Sequence, residues 1–417
     1  MAAARSAVGP PRRGGSAPIA PPLPEVIVPS ALRRRDRPAL LSAVIGALVV
    51  VLGGSTSAAP RPTAGLAAWA PAPPPDTAGD SASCGACHAQ THRDWSTSAH
   101  ATSWSDPRFQ ASWRAWPNGW CLNCHLPLEA QQREVLGGRA IPGALHSAAG
   151  VGGAWAAEGV GCLVCHGGDG ALRAAGPPSA RARRAHPIEA DPELATDGAA
   201  GLCARCHQFP FQQHSPRHPF ALSDAPLQDT VAEWRSSAAA AAGLGCADCH
   251  IPGGQHRFAG AHDLGLLAAA AEVRVWATAG EATVELRAIG VGHRLPTGDP
   301  FRRLLVHLCA DPSPSGGRRG PPAPCAAPLG ALSFRRTFVG TDVSWALDED
   351  TTAPPAAPGQ PPVRRLTTPV DQRPVRWVLE VVWVDLDTAA QLPPGAARAL
   401  VEGGPVSAGP PPPAPRR

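Results

Sequence analysis

The sequence predicts a mainly α-helical and irregular domain over residues 80–265, followed by a small all-β, sandwich-like module over 266–400. Three observations predict it. A short Cys/His motif recurs five times at near-regular intervals, and the hydrophobic pattern switches to strict alternation after about residue 270. The chain also carries 44 Gly and 50 Pro in 417 residues. A chain so rich in turn formers must be loop over much of its length and cannot run a conventional apolar core throughout.

The N-terminal 59 residues read as an export signal. Arg5, Arg12 and Arg13 and the cluster Arg33, Arg34, Arg35 and Arg37 precede an apolar run from Ala39 to Leu52, and small residues follow from Gly53 to Ala59. That order is the basic flank, hydrophobic region and cleavage zone of a secretory peptide, with Ser57 to Ala59 at the cleavage region. The run is short for a membrane span. Its long basic flank leaves two readings open, a start codon further downstream or a retained N-terminal anchor. Residues 60–79 are a Pro-rich linker.

Residues 80–265 hold the motifs. Cys84 and Cys87, Cys121 and Cys124, Cys162 and Cys165, Cys203 and Cys206, and Cys246 and Cys249 are CxxC pairs, each followed at once by a histidine: His88, His125, His166, His207 and His250. The signature is CxxCH, the attachment site of haem c, in which two thiols add across the vinyl groups and the next residue places an imidazole under the iron. A single CxxC also fits zinc or a redox dithiol, but zinc makes no demand for a histidine after every pair. The cofactor expected is therefore haem c, five copies, covalently attached. Haem is attached to such proteins after export, so a periplasmic or extracellular location is expected. Successive first cysteines lie 37, 41, 41 and 43 residues apart, a spacing of haem-sized modules in series. Trp95, Trp104, Trp113, Trp116 and Trp120 crowd the first two motifs, as porphyrin packing or ordinary core.

The sixth iron ligand decides between relaying electrons and binding a substrate. Met1 is the sole methionine, so histidine–methionine ligation is excluded and bis-histidine or open sites remain. His100, His186, His256, His262 and His293 are the favoured distal ligands; His146, His214 and His218 remain candidates. His92 and His307 read as ordinary surface or core histidines. At least four of the motif histidines should face another histidine.

Several motifs resemble a known family. Cys84-Gly-Ala-Cys-His88 with Trp95, Ser98, His100 and Ala101 is similar to the opening of the nitrifier tetrahaem cytochrome and hydroxylamine oxidoreductase superfamily. The likeness continues through Gln131, Gly159-Val-Gly-Cys162, Glu233-Trp234, and Gly292-His293-Arg-Leu-Pro-Thr-Gly298, over about residues 80 to 310. It implies a periplasmic multihaem c-type cytochrome. The 37 basic residues are all arginine and Tyr is absent, so the lysine-ligated haem of ammonia-forming nitrite reductases and a tyrosine crosslink are both missing. An electron carrier is expected rather than a catalyst. The alternatives are an oxidoreductase of small nitrogen or sulfur oxyanions with one open haem, and a subunit of an extracellular haem conduit or filament.

In the second module, Val273, Val275 and Ala277 alternate with Glu272, Arg274 and Trp276, and a turn at Gly280 leads into Val284, Leu286 and Ala288, which is a hairpin. Leu304 to Leu308 and Trp377 to Leu386 add strands, and the module is expected to bring His293 back toward the last haem. Cys309 and Cys325, outside any CxxC, are expected to form a disulfide. Residues 401–417 read as a disordered Pro-rich tail. The partners implied are redox proteins of the periplasm or outer membrane. A net charge of +4 with scattered arginines implies no nucleic acid, and the sequence leaves the oligomeric state undefined.

Overall fold

The computed structural model describes residues 80–115, 117–137, 155–168, 170–194, 199–212, 222–311, 322–340, 345–357 and 362–409. The signal segment, the linker, Trp116, His146, His214 and His218 lie outside the described residues.

Each CxxCH coils into a helical turn, because spacings of three and four put both sulfurs and the imidazole on adjoining positions of one face. Four motif histidines close their helices: Leu122–His125, Cys162–His166, Ala199–His207 and Cys246–His250. In the first motif the helix Ser81–Gly85 is capped by the Asp80 carboxylate, which accepts from the Ser83 N–H, and His88 begins the next helix, Ala89–Ser96. The apolar clusters here are small. Leu122 and Leu126 form one, and Leu128, Leu163 and Val164 another. Short two-stranded pairings interrupt the helices, Leu172–Ala174 with Ile188–Ala190 and Gln208–Gln212 with Leu222–Asp229.

Among the described residues the C-terminal part holds three sheets: a two-stranded pairing of Arg336–Gly340 with Trp345–Asp350, and two larger sheets that pack together. One of the larger sheets orders Val363–Pro369, Glu281–Ala288 and Ala271–Thr278; the other orders Arg398–Pro405, Arg376–Val382, Arg303–Cys309 and Pro328–Phe334. Alternate residues Val273, Val275, Val284 and Leu286 of the first meet Leu304, Val306, Leu308, Leu379 and Val381 of the second in one core, the inward half of each strand's period of two. Arg376–Val382 is buried on both faces. On its far face the Glu380 carboxylate accepts from His307 at 2.9 Å, and His307 is a paired residue of this sheet. Cys309 and Cys325 are bridged.

The last strand corrects the expected tail. It runs to Pro405, and Ser407 still bridges Trp276. Two glycines in the stretch that read as a Pro-rich tail are the residues that let it pair. A Cβ at Gly404 would stand 3.0 Å from the Trp377 ring, and one at Gly403 would stand 2.8 Å from the Trp377 carbonyl oxygen.

Candidate functional site

Four of the five motif histidines face a second histidine ring. His88 stands 6.5 Å from His186, His207 6.4 Å from His100, His166 6.1 Å from His256, and His250 6.2 Å from His293, centroid to centroid. One metal ion held axially between two imidazoles, about 2 Å from each nitrogen, sets the ring centroids roughly 6.3 Å apart. Direct stacking is closer, as the 3.6 Å between Phe109 and His125 shows. The four spacings would admit an ion between the rings.

The backbone fixes which nitrogen each ring offers. Nδ1 of His125, His166, His250, His256 and His293 lies 2.7 to 2.9 Å from the carbonyl oxygens of Ser103, Arg173, Ala259, Gly254 and Arg294. A carbonyl only accepts, so Nδ1 carries the proton and Nε2 keeps its lone pair for a metal. Enclosure favours the same neutral state. Burial pulls His100, His262 and His293 down to about 4 and His207 to about 3. His207 nevertheless retains accessible surface.

Contacts between motifs set their order. Cys84 lies beside Cys162, Cys124 beside Cys206, and Cys203 beside Cys246. Cys165 lies within electrostatic reach of Cys206, and His166 of His88. The first motif therefore adjoins the third, the third the fourth, and the fourth both the second and the fifth.

Residues outside the motifs hold these junctions. The Glu158 carboxylate accepts from the Ser81 N–H at 2.8 Å and from its hydroxyl at 2.7 Å, and Ser81 Oγ in turn accepts from the Cys162 N–H. Trp95 Nε1 donates to the Val160 carbonyl, and Gln131 donates to that of Gly159. Gly159 has φ +59°, and a Cβ there would lie 2.6 Å from the His100 carbonyl oxygen, so this turn admits only glycine. Phe258 sits edge-on to His100 at 4.4 Å and to His256 at 5.7 Å, with φ 47°. A bulky residue in that region costs roughly 1–3 kcal/mol, which the contacts with two sites offset. Ser81 and Glu158 carry no signal of their own in a single sequence, whereas Phe258 belongs to the run His256-Arg-Phe258 that resembles the end of the haem region in periplasmic multihaem proteins.

The loop after His293 is held from the other side. The buried Glu233 carboxylate accepts from the Arg294 N–H at 3.1 Å and from the Thr297 hydroxyl at 2.5 Å. Arg336 approaches it at 3.7 Å and donates to the Gly298 carbonyl.

His125 and His262 differ from the rest. Among the described residues no histidine ring is stacked opposite His125, whose face is covered by Phe109. His262 lies 5.2 Å from the Trp383 ring rather than against a motif histidine. Asp106 is an electrostatic neighbour of both, and Arg108 lies over Trp383 at 4.9 Å. The two histidines thus border one region lined by Asp106 and Arg108.

Comparison with protein-family models returns no match, and comparison with curated proteins returns none. Among solved structures the chain is similar to a penta-heme cytochrome c552 from Thermochromatium tepidum, with 20% sequence identity, a TM-score of 0.52, and coverage of 77% of this chain and 97% of that one. At that identity the likeness is one of fold.

Proposed function

We propose that the chain is a multihaem c-type cytochrome that relays electrons through five covalently attached haems, at least four of them bis-histidine. The observation that carries the reading is the set of four opposed ring pairs, each beside a CxxC whose thiols are unbridged. Bound haem c supplies a one-electron iron couple at each motif.

The chain's own residues do the rest. Cys84 and Cys87, Cys121 and Cys124, Cys162 and Cys165, Cys203 and Cys206, and Cys246 and Cys249 anchor the groups. His88, His125, His166, His207 and His250 are the proximal ligands, and His186, His100, His256 and His293 stand opposite the first, fourth, third and fifth of them. Two neutral imidazoles saturate an iron, which suits transfer rather than substrate chemistry. The contacts between motifs make the route a series, first, third, fourth, fifth, with the second joined to the fourth. The fold of the penta-heme neighbour supports this reading. So does the export-type N-terminus, since attachment follows export; no helix among the described residues is long and apolar enough to cross a membrane.

A second reading applies to one motif. The absence of a described histidine opposite His125, together with Asp106, Arg108 and His262 bordering that region, favours a sixth position there that is open to a small ligand.

Intact mass of the purified holoprotein and a pyridine haemochrome assay test the reading. Five haem additions per chain are expected, with low-spin resonance signals for at least four. Fewer than three low-spin centres would remove the bis-histidine relay.

A further inference from the structure

A relay exchanges electrons with partners at its ends, and the proposed series ends at the first and fifth motifs, with the second a branch on the fourth. Of the ten motif cysteines, Cys87 and Cys249 are the exposed ones, and they belong to those two motifs. The surface around the first is open over a run, from Ala86 through Gln90.

The first end is edged by a helix of exposed arginines. His186, the residue facing His88, is the C-cap of the helix Ala180–Ala185, and its N–H donates to the Ala182 carbonyl at 3.2 Å. That helix exposes Arg181, Arg183 and Arg184 and carries no acidic residue. Neighbouring arginines are neutralised internally, Arg173 by Asp191 at 3.0 Å and Arg205 by Glu193 at 2.6 Å. Arg181, Arg183 and Arg184 have no acidic partner among the described residues, and the one exposed acid close by in sequence is Glu189. At the other end, Asp248 and Leu244 are exposed beside Cys249.

An arginine-rich helix is usually a solvated face. This one is set apart by its position, because its last turn delivers the ring that faces His88. We propose that the helix Ala180–Ala185 is the docking surface for a redox partner protein with an acidic face, which exchanges electrons with the first site; the proposal rests on the relay reading above. Three unneutralised cations beside an exposed edge steer an anionic partner to that edge and raise its association rate by roughly 10- to 1,000-fold at low salt.

Two anions of the same shape test this on the five-haem holoprotein. Hexacyanochromate(III) is redox-inert and paramagnetic, and it broadens the proton resonances of whatever it binds beside. It should broaden first the haem methyl signals that also shift in His186→Met. Hexacyanoferrate(III) takes one electron from the reduced protein and becomes hexacyanoferrate(II), with no bond made or broken. Its rate should fall with ionic strength, and at low salt should fall about tenfold or more in the triple variant R181E/R183E/R184E, with R181Q/R183Q/R184Q between. These side chains are at the surface and His186 is kept, so an unchanged low-spin spectrum verifies that the variants are folded. Broadening centred on the fifth site, or rates that the triple variant leaves unchanged, would overturn the proposal. So would binding to phosphatidylglycerol vesicles through these arginines with electron transfer unaffected, which would make the helix a lipid contact. A haem count below five would break the relay reading instead, and is seen before any anion is added.

Discussion

The rings of His250 and His293 lie 6.2 Å apart with their planes 8° from parallel. The pairs His88 with His186 and His100 with His207 are instead inclined by 45° and 50°. The relative angle of two axial imidazoles sets how they split the iron orbitals, so the fifth site should give a low-spin signal distinct from those of the first and fourth. His293→Met replaces an imidazole by a thioether and should raise that site's potential by a fraction of the roughly 0.8 V that axial ligation spans. Spectroelectrochemical titration should find one centre moved upward and the others little changed. If all centres move, or none does, His293 is not an axial ligand.

How much of this was legible in the sequence depends on the range of the contact. The motif histidines and the hairpin Ala271–Thr278 with Glu281–Ala288 follow from local spacing. His100 and His293 stood out by the residues around them. Which ring faces which did not: His100 faces His207, from the fourth motif, and His256 faces His166, from the third. Those pairings are set by chain crossings such as Trp95 on Val160 and Ser81 on Glu158, and no local period encodes them. His262 was weighed on the same terms as His256, yet it lies on Trp383. The final strand was hidden because a Pro-rich composition signals a tail, whereas Gly404 is needed by Trp377 in the paired strand.

The second motif should bind an external ligand. Phe109 covers the face of His125, and His262 is held against Trp383 beside Arg108 rather than opposite it. The dithionite-reduced holoprotein should take up one carbon monoxide per five haems, read from the Soret difference spectrum, and the double variant C121A/C124A, which leaves the second haem unattached, should abolish that uptake. Zero uptake in the parent protein would mean that the sixth position is filled, and the relay would then be saturated throughout.

Glu233 holds the His293 loop to the helix Thr230–Arg235. Glu233→Ala removes the acceptor of the Thr297 hydroxyl and the Arg294 N–H and leaves the buried Arg336 without its anion. Removing one partner of a buried ion pair costs about 3–5 kcal/mol. Burial raises the Glu233 pKa against these hydrogen bonds, so the charge itself is a burden and Glu233→Gln should cost well under half as much. Thermal unfolding compares the two. A resonance change confined to the signal altered in His293→Met would show that the residue positions that ring.

The final strand carries a pH dependence separate from the haem sites. Burial raises the Glu402 carboxyl from 4.5 to about 7, with no cation paired to it among the described residues. A carboxyl with a raised folded-state pKa binds its proton more tightly when folded, so its contribution is fully present below about pH 4.5 and is lost as pH rises through about 7. The sign is opposite to that of a salt-bridged carboxylate. Glu402→Gln keeps the side chain neutral at every pH. The parent's unfolding midpoint should therefore decline relative to the variant's between pH 4.5 and 7.5, with the two curves running parallel above that window. Glu402 sits where the pairing of Arg398–Pro405 with Arg376–Val382 shifts register. Hydrogen exchange at the Leu379 and Glu402 amides should quicken over the same interval in the parent alone, and equal rates in both proteins would place the titration elsewhere.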